Sequence, residues 1–513
     1  MTNAQVGILV VMIVYLLGML AIGFVVAKQN ENVSDFYLGG RKLGPLVTAM
    51  SAEASDMSSY LLMGLPGVAY LSGMADVGWT CIGLAAGTYL NWLIVAKRIR
   101  RYTARTGSIT IPDFFSDRYQ DKHRVLMMIA ACVIIIFFIP YTGSGFAACG
   151  KLFSSLFGVD YHIAMIISAA VIISYTLTGG FLAASLTDFI QSIVMTLALI
   201  IVLIFGINKA GGMDAVIANA KSLPGYFSMV QTYNQSTGTA SPYGFVTIIS
   251  TLAWGLGYFG MPHILLRFMA IEDDSKLTIS RRVASVWVVI SMGIAVMIGI
   301  VGLGMTKAGA VPLLEGSASE TIIVKISSLL SQHGVLAAVF AGIILSGILA
   351  ATMSTSDSQL LAASSSVSEN IIHEFFHLDL DDKKLMTIAR FSLAIIAVIG
   401  VGIAWNPNSS VFGIVSFAWA GFGATFGPVV LLALFWRRSN KYGALFGMIS
   451  GGIMVFVWKY AIRPIGGAWN IYELLPAFLV AILVNVIVSL LTPAPEKEIT
   501  DVFDEMKKRN RGK

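Results

Sequence analysis

Charge is scarce in this chain. Of 513 residues only 12% are Asp, Glu, Lys or Arg, about half the share found in soluble domains, and this excludes a surface made for water over most of its length. Cysteine is almost missing: Cys81, Cys132 and Cys149 are odd in number, lack metal-ligand spacing and fall in or near apolar stretches. A disulfide framework is therefore not expected, and buried free thiols are. No P-loop pattern occurs, so nucleotide hydrolysis is not the expected energy source. Low-complexity tracts and solenoid-period repeats are also missing. The first apolar run is too long for the core of a secretory signal and has no basic start, so it reads as a membrane span.

What the chain has is hydrophobic residues, 56% of the total. Runs such as Gly7 to Val26, Val125 to Ile139, Ile190 to Ile207, Val283 to Leu303 and Phe478 to Leu491 mark helices crossing a hydrocarbon core of roughly 30 Å, at ~20 residues each. Read against Gly, Pro and charge punctuation, they give thirteen spans. The net charge of +6 sits in short segments between spans, not on one domain face, so it reports topology and not nucleic-acid binding. With the N-terminus outside, the cytoplasmic segments hold Arg41, Lys42, Lys97 to Arg124 (with Arg118), Arg267, Lys276, Arg281, Arg282, Lys383, Lys384, Arg390, Arg437, Arg438, Lys441 and a tail from Lys507 to Lys513. The other side keeps Lys151, Lys209, Lys221, Lys307, Lys325, Lys459 and Arg463. This asymmetry obeys the positive-inside rule and places the C-terminus in the cytoplasm. Residues 209–244, rich in Ser, Thr, Asn and Gly, read as an external loop with short helices.

Two spans carry their own interruption. The second contains Ser51-Ala52-Glu53-Ala54-Ser55-Asp56-Met57-Ser58-Ser59-Tyr60. One carboxylate at mid-bilayer costs about 2.5–3.5 kcal/mol on insertion scales and calls for a partner or a wet cavity. The seventh contains Trp254-Gly255-Leu256-Gly257-Tyr258-Phe259-Gly260-Met261-Pro262, where glycines lower helix propensity and proline removes a donor. Paired broken helices point to a transporter built from inverted repeats, since unwound backbone at membrane depth is tolerated only around a cavity. Freed carbonyls there suit sodium, freed amides and helix dipoles suit a carboxylate, and Tyr60, Tyr141, Trp254 and Tyr258 suit an apolar ring. Kinked packing helices with interfacial aromatics remain the competing reading. A third polar cluster, Ala350-Ala351-Thr352-Met353-Ser354-Thr355-Ser356-Asp357-Ser358-Gln359, ends the ninth span. Its adjacent Ser354 and Thr355 hydroxyls are hard donors suited to an alkali cation, although serines also cap and pack membrane helices.

From about Val11 to Leu491 the chain resembles the sodium:solute symporter family. The motifs are Leu38-Gly39-Gly40-Arg41, Ala54-Ser55-Asp56-Met57-Ser58, Leu62-Met63-Gly64-Leu65-Pro66-Gly67, Thr178-Gly179-Gly180-Phe181-Leu182-Ala183, Gly255-Leu256-Gly257-Tyr258-Phe259-Gly260, Pro262-His263-Ile264-Leu265 and Phe417-Ala418-Trp419-Ala420-Gly421-Phe422-Gly423. The resemblance implies an all-α, LeuT-like fold of two inverted five-helix repeats in a multi-pass cell-membrane protein. Residues 1–43 would be an extra span and loop, 44–208 the first repeat, 209–244 the external loop, 245–436 the second repeat, 437–492 two further spans and 493–513 a tail. It implies a sodium site of the Ala54, Met57 and Ala351 carbonyls with the Ser354 and Thr355 hydroxyls. Asp56 and Asp188 match carboxylates tied to ion coupling, and a second sodium in some relatives would lie near Asp188, Asp357 and Ser358. Substrate positions carried over are Ser58, Tyr60, Tyr141, Trp254, Tyr258 and Pro262.

The implied activity is sodium-coupled import of a small zwitterion, L-proline first, with other amino acids or monocarboxylates as runners-up and Na⁺ as the only cofactor-like requirement. Members that carry proline have Gly-Trp where this chain has Ser59-Tyr60, glutamine at Met261 and glycine at Glu53, so the polar lining of the pocket differs here. A transporter-like sensor is the alternative of another class. His373-Glu374-Phe375-Phe376-His377 spells a zincin pattern. It is expected in a cytoplasmic connection beside Asp379, Asp381, Asp382, Lys383 and Lys384, as a short amphipathic helix turning Phe375 and Phe376 to lipid. Catalysis and a transition metal are not expected of it.

Overall fold

In the computed structural model, which describes residues 2–28, 33–378 and 380–509, the chain is helical almost throughout. Ten of the described helices are long and apolar enough to cross a membrane, or eleven if the bent pair Phe245–Gly260 and Pro262–Ala270 counts as one span. The chain is thus a multi-pass membrane protein. Two segments counted as spans from sequence fall outside this set. One is 45–72, whose first half is the polar run around Asp56; the other is the shorter apolar helix Tyr161–Ser174.

The helices that build the site are α1 (Asn3–Ala27), α2 (Pro45–Ser59), α3 (Leu65–Ser72), α4 (Met74–Leu90), α5 (Val125–Phe157), α6 (Tyr161–Lys209), α7 (Phe245–Leu252), α8 (Pro262–Ala270), α9 (Leu277–Lys307), α10 (Val335–Ser365), α11 (Asp382–Ile403) and α12 (Val411–Phe435). α10 packs against α6, α1, α5 and α2, so it runs inside the protein, and every residue from Ile344 to Ser366 is buried. α6 is bent at Gly180, whose φ of 65° and ψ of −173° lie in territory essentially reserved for glycine.

Both expected interruptions are present. α2 breaks at Ser58 (φ 50°, ψ −167°); its hydroxyl accepts the Tyr60 amide at 3.1 Å and shares it with backbone carbonyls at the break, a local side-chain bond that competes with helical pairing. Residues Tyr60–Gly64 continue in wider π winding before α3 begins. The second break is the 3₁₀ stretch Ala253–Gly260 between α7 and α8, with Pro262 at the first helical position of α8 and a bend of 46°. Proline fits there because its missing amide would have had no intrahelical partner.

The loop 209–244 holds more than the short helices expected. Besides helix Met213–Ser222, it forms the antiparallel hairpin β1 (Gln231–Asn234) and β2 (Thr239–Pro242). Tyr226 is fully buried beneath it, its hydroxyl donating to Ala69 O at 2.7 Å. Three charges assigned to water-facing segments prove internal. Arg118 and Arg267 are fully buried. Lys151 is paired with buried Glu320 at 2.7 Å. Each has a partner that a charge count does not reveal: Ala433 O for Arg118 Nε at 2.8 Å, Asp188 for Arg267 at 3.0 Å. The cysteines are free, Cys149 buried and Cys81 and Cys132 half-buried.

Candidate functional site: two broken helices and a serine-threonine turn

α2 and α10 meet where both are polar. Ser354 Oγ donates to Ala54 O, one turn before the break in α2, at 2.8 Å. The same hydroxyl lies 3.2 Å from Ala351 O, and Thr355 Oγ1 donates to that carbonyl at 3.1 Å. Four of the five residues expected to bind sodium are therefore joined by direct hydrogen bonds between one carbonyl of α2 and one turn of α10. The fifth, Met57, uses its carbonyl to accept the Tyr60 amide at the break and lines the neighbouring cavity.

Asp56 is held from two other elements. Tyr258 of the 3₁₀ stretch donates its hydroxyl to Asp56 Oδ2 at 2.5 Å, and Tyr141 of α5 donates to the Asp56 backbone carbonyl at 3.2 Å. The carboxylate thus ties one broken helix to the other through a charge-assisted bond, the stronger kind. Beside it lies a cavity of about 10 Å³ lined by Asp56, Met57, Tyr60, Tyr141 and Trp254, with Leu84, Val415 and Trp419. Of the expected substrate residues, Tyr60, Tyr141 and Trp254 share this wall. Ser58 and Tyr258 stand behind it through the contacts above, and Pro262 starts α8 farther along the chain. The rings of this wall pack together: Trp254 stacks on Tyr60 (centroids 5.8 Å, 27°) and on Tyr472 (4.9 Å, 18°), and Phe412 lies against both Tyr60 and Trp254. The Tyr60 hydroxyl is buried without a hydrogen-bond partner.

A second polar knot lies one layer away. Arg267 Nη2 donates to Asp188 Oδ2 at 3.0 Å and to Ser358 Oγ at 2.5 Å, Arg267 Nε donates to Ser51 Oγ at 3.0 Å, and Ser51 donates to Asp188 at 2.6 Å. Ser358 sits 3.2 Å from Asp357 Oδ1. Asp188 Oδ1 and Asp357 Oδ2 have no hydrogen-bond partner. Both carboxyl groups are fully buried.

Sequence reasoning missed Arg267, Lys151, Glu320 and Trp419. Glu320 accepts from Lys151, Ser410 Oγ (2.8 Å) and the amides of Val411 and Phe412 (both 3.1 Å); it caps α12, where amides lack intrahelical acceptors and the helix dipole favours an anion. A lone glutamate in a loop carries no such signal in sequence. Glu53, unexplained in the sequence, accepts the indole N–H of Trp92 at 3.0 Å.

The zincin pattern is taken apart. α10 continues in π winding through Ser366–Phe375, and His377 follows in a left-handed conformation (φ 53°), so His373 and His377 are not successive turns of one helix. Phe376 is exposed and Phe375 is half-buried. Asp379 lies outside the described residues. Glu369, His373 and Glu374 do offer ligand atoms within 4.8 Å of one another, but His373 is engaged by Glu369 at 3.2 Å and Glu374 by Arg124 at 2.8 Å.

Unwound helices that gather carbonyls, hydroxyls and carboxylates around a small cavity inside an apolar bundle define a secondary active transporter, not an enzyme. The family model of the sodium:solute symporter family matches residues 36–451. The high-affinity proline transporter PutP of Bacillus subtilis is 42% identical over 489 residues, covering 95% of this chain and 98% of the relative. The sodium/proline symporter of Haemophilus influenzae is 40% identical over 507 residues, covering 98% and 97%. The chain belongs to the sodium:solute symporter family, whose coupling ion is Na⁺. A substrate-bound, outward-open Na⁺-coupled sialic acid symporter has the same fold, with a TM-score of 0.77 over 96% of this chain and 99% of that one at 17% identity. The nucleobase-cation-symport-1 transporter MHP1 in a closed conformation is more distant, with a TM-score of 0.57 over 93% and 99% at 14% identity.

Proposed function

We propose that this protein imports L-proline together with sodium by alternating access. The observation that carries the ion half of this reading is the Ser354–Ala54 bond between α10 and the break in α2. The bond sets two hard oxygens side by side; a sodium ion between them would take both as ligands, joined by the Met57 and Ala351 carbonyls and Thr355. Asp56, through Tyr258, and Asp188 couple this site to the second broken helix and to α6. The two unpartnered carboxylate oxygens of Asp188 and Asp357, with Ser358, favour a second cation there. For the substrate, Tyr60, Tyr141 and Trp254 offer apolar faces to a ring. The unpartnered Tyr60 hydroxyl offers a donor to a carboxylate, and the half-helix dipoles at the breaks marked by Ser58, Tyr258 and Pro262 favour its charge. The relatives named for proline at about 40% identity over nearly the whole chain support this choice of zwitterion.

In this reading there are thirteen spans. Segments 45–72, 161–179 and 181–209 count as one each, residues 44–208 and 245–436 are the inverted repeats, the N-terminus lies outside and the C-terminus lies in the cytoplasm. Sodium closes α2 on α10 and completes the pocket, and by linkage substrate strengthens sodium binding equally. One sodium crossing ~100 mV gains about 2.3 kcal/mol and a tenfold gradient adds ~1.4 kcal/mol, enough for several-hundred-fold accumulation of a neutral solute.

A sodium jump across proteoliposomes of the purified protein tests this. Labelled L-proline is expected to accumulate above equilibrium only with an inward sodium gradient, and equal uptake with potassium refutes sodium coupling. Replacing Trp254 by alanine removes the ring that stacks on both Tyr60 and Tyr472 and is expected to raise the apparent proline constant ~10-fold or more, since a buried aromatic is worth several kcal/mol. A change confined to the amount of protein in the membrane would instead mark these rings as packing only.

A further inference from the structure

The cavity has a yielding side and a fixed one. Tyr60 and Trp254 line it from the two broken segments; α12 supplies Val415 and, one turn on, Trp419, whose ring stacks against Trp254 (centroids 6.3 Å, 29°). Trp419 is locked in three directions. Its indole N–H donates to Trp254 O at 2.8 Å, taking up a carbonyl that the 3₁₀ stretch exposes. Its ring stands at 86° to Tyr258 with centroids 5.0 Å apart, against the phenol that holds Asp56. Its back lies on bare backbone, because a Cβ on Gly257 would fall 2.0 Å from its Nε1. An indole fastened this way has nowhere to retreat, whereas the Tyr60 hydroxyl has no partner to release.

We propose that Trp419, backed by Val415, sets the upper limit on the size of the ring that the substrate presents. The inference rests on the assignment of a cyclic amino acid to this cavity. As the rings part to admit substrate, the α12 wall keeps its position relative to the unwound backbone of the second broken helix, and the width between that wall and Tyr60 fits one ring size. A cyclic secondary amino acid one methylene larger would then meet the indole. Discrimination of this kind is worth ~10–200-fold per methylene in a close apolar pocket.

Competition by L-pipecolate, the six-membered homologue, against sodium-driven uptake of labelled L-proline into proteoliposomes tests the proposal. In the unmodified protein the inhibition constant for pipecolate is expected to exceed that for unlabelled proline by at least ~10-fold. Trp419→Phe shortens the wall and removes the indole N–H; it is expected to bring that ratio down ~10-fold, and Val415→Ala by a smaller factor, ~3-fold. The ratio of two inhibition constants does not depend on how much protein folds, so a structural loss alone leaves it unmoved. Should Trp419→Phe not reach the membrane, Val415→Ala decides. Proline uptake with an unchanged ratio in the variants overturns this inference alone, whereas no proline uptake by the unmodified protein overturns the substrate assignment and this inference with it.

Discussion

Arg267→Met alone is expected to cost the folded protein about 3–5 kcal/mol, the usual cost of stripping one partner from a buried ion pair. Asp188→Asn is expected to cost a comparable amount. The side chains of Arg267 and Asp188 are 1% and 0% exposed, so neither charge left alone can turn to water. Arg267 also anchors Ser51, Ser358 and the His263 carbonyl (2.9 Å); one guanidinium thus fastens α2, α6, α8 and the end of α10. The double variant removes both charges, and because replacing a whole buried pair is often close to neutral, it is expected to regain much of the lost stability. Thermal unfolding of the purified variants in one lipid or detergent, set out as a double-mutant cycle, reads the coupling directly. Single variants as stable as the parent, or effects that simply add, would refute a structural ion pair. Restored stability in the double variant without restored sodium dependence would place Asp188 in ion coupling as well as in folding.

This pair also shows where sequence reading stops. The breaks at Ser58 and around Gly257 were legible because their causes are local: a polar run at membrane depth, glycines, and a proline at a helix start. The oxygen cluster was legible for the same reason, since Ser354 and Thr355 are neighbours in the chain. Arg267 was not. Its hydropathy reads as a loop charge, and only the approach of Asp188, 79 residues away in sequence, makes it internal. Glu320 and Lys151, 169 residues apart, escape for the same reason. Trp419 reads in sequence as one more aromatic of an apolar helix; what distinguishes it is its seat on the bare backbone of Gly257, a complementarity between two distant segments. The zincin pattern fails in the opposite direction. Its local spacing is right, but the π winding and the left-handed His377 break the helical phase that the motif assumes.

Thr355→Ala is expected to raise the sodium concentration that half-saturates proline uptake by roughly 10–100-fold. In the proposed site its hydroxyl is one of five oxygens around the ion, and an interaction between a neutral group and a charge contributes about 1.5–3 kcal/mol. Its present partner, Ala351 O at 3.1 Å, lies within its own helix, so the loss should not disturb packing between helices. Asp56→Asn acts differently. The amide keeps the size of the carboxylate but removes the charge that receives the Tyr258 hydroxyl at 2.5 Å, so both the attraction for sodium and the tie between the broken helices weaken. Since ion and substrate stabilise each other's binding by the same factor, Asp56→Asn is expected to raise the proline constant as well as the sodium constant, whereas Thr355→Ala at saturating sodium recovers a near-normal proline constant. Sodium titrations of proline uptake, normalised to protein in the membrane, separate the two. Unchanged sodium constants in both variants would remove α2 and α10 from the ion site, and recovery of Asp56→Asn by sodium alone would deny the carboxylate its place between ion and substrate.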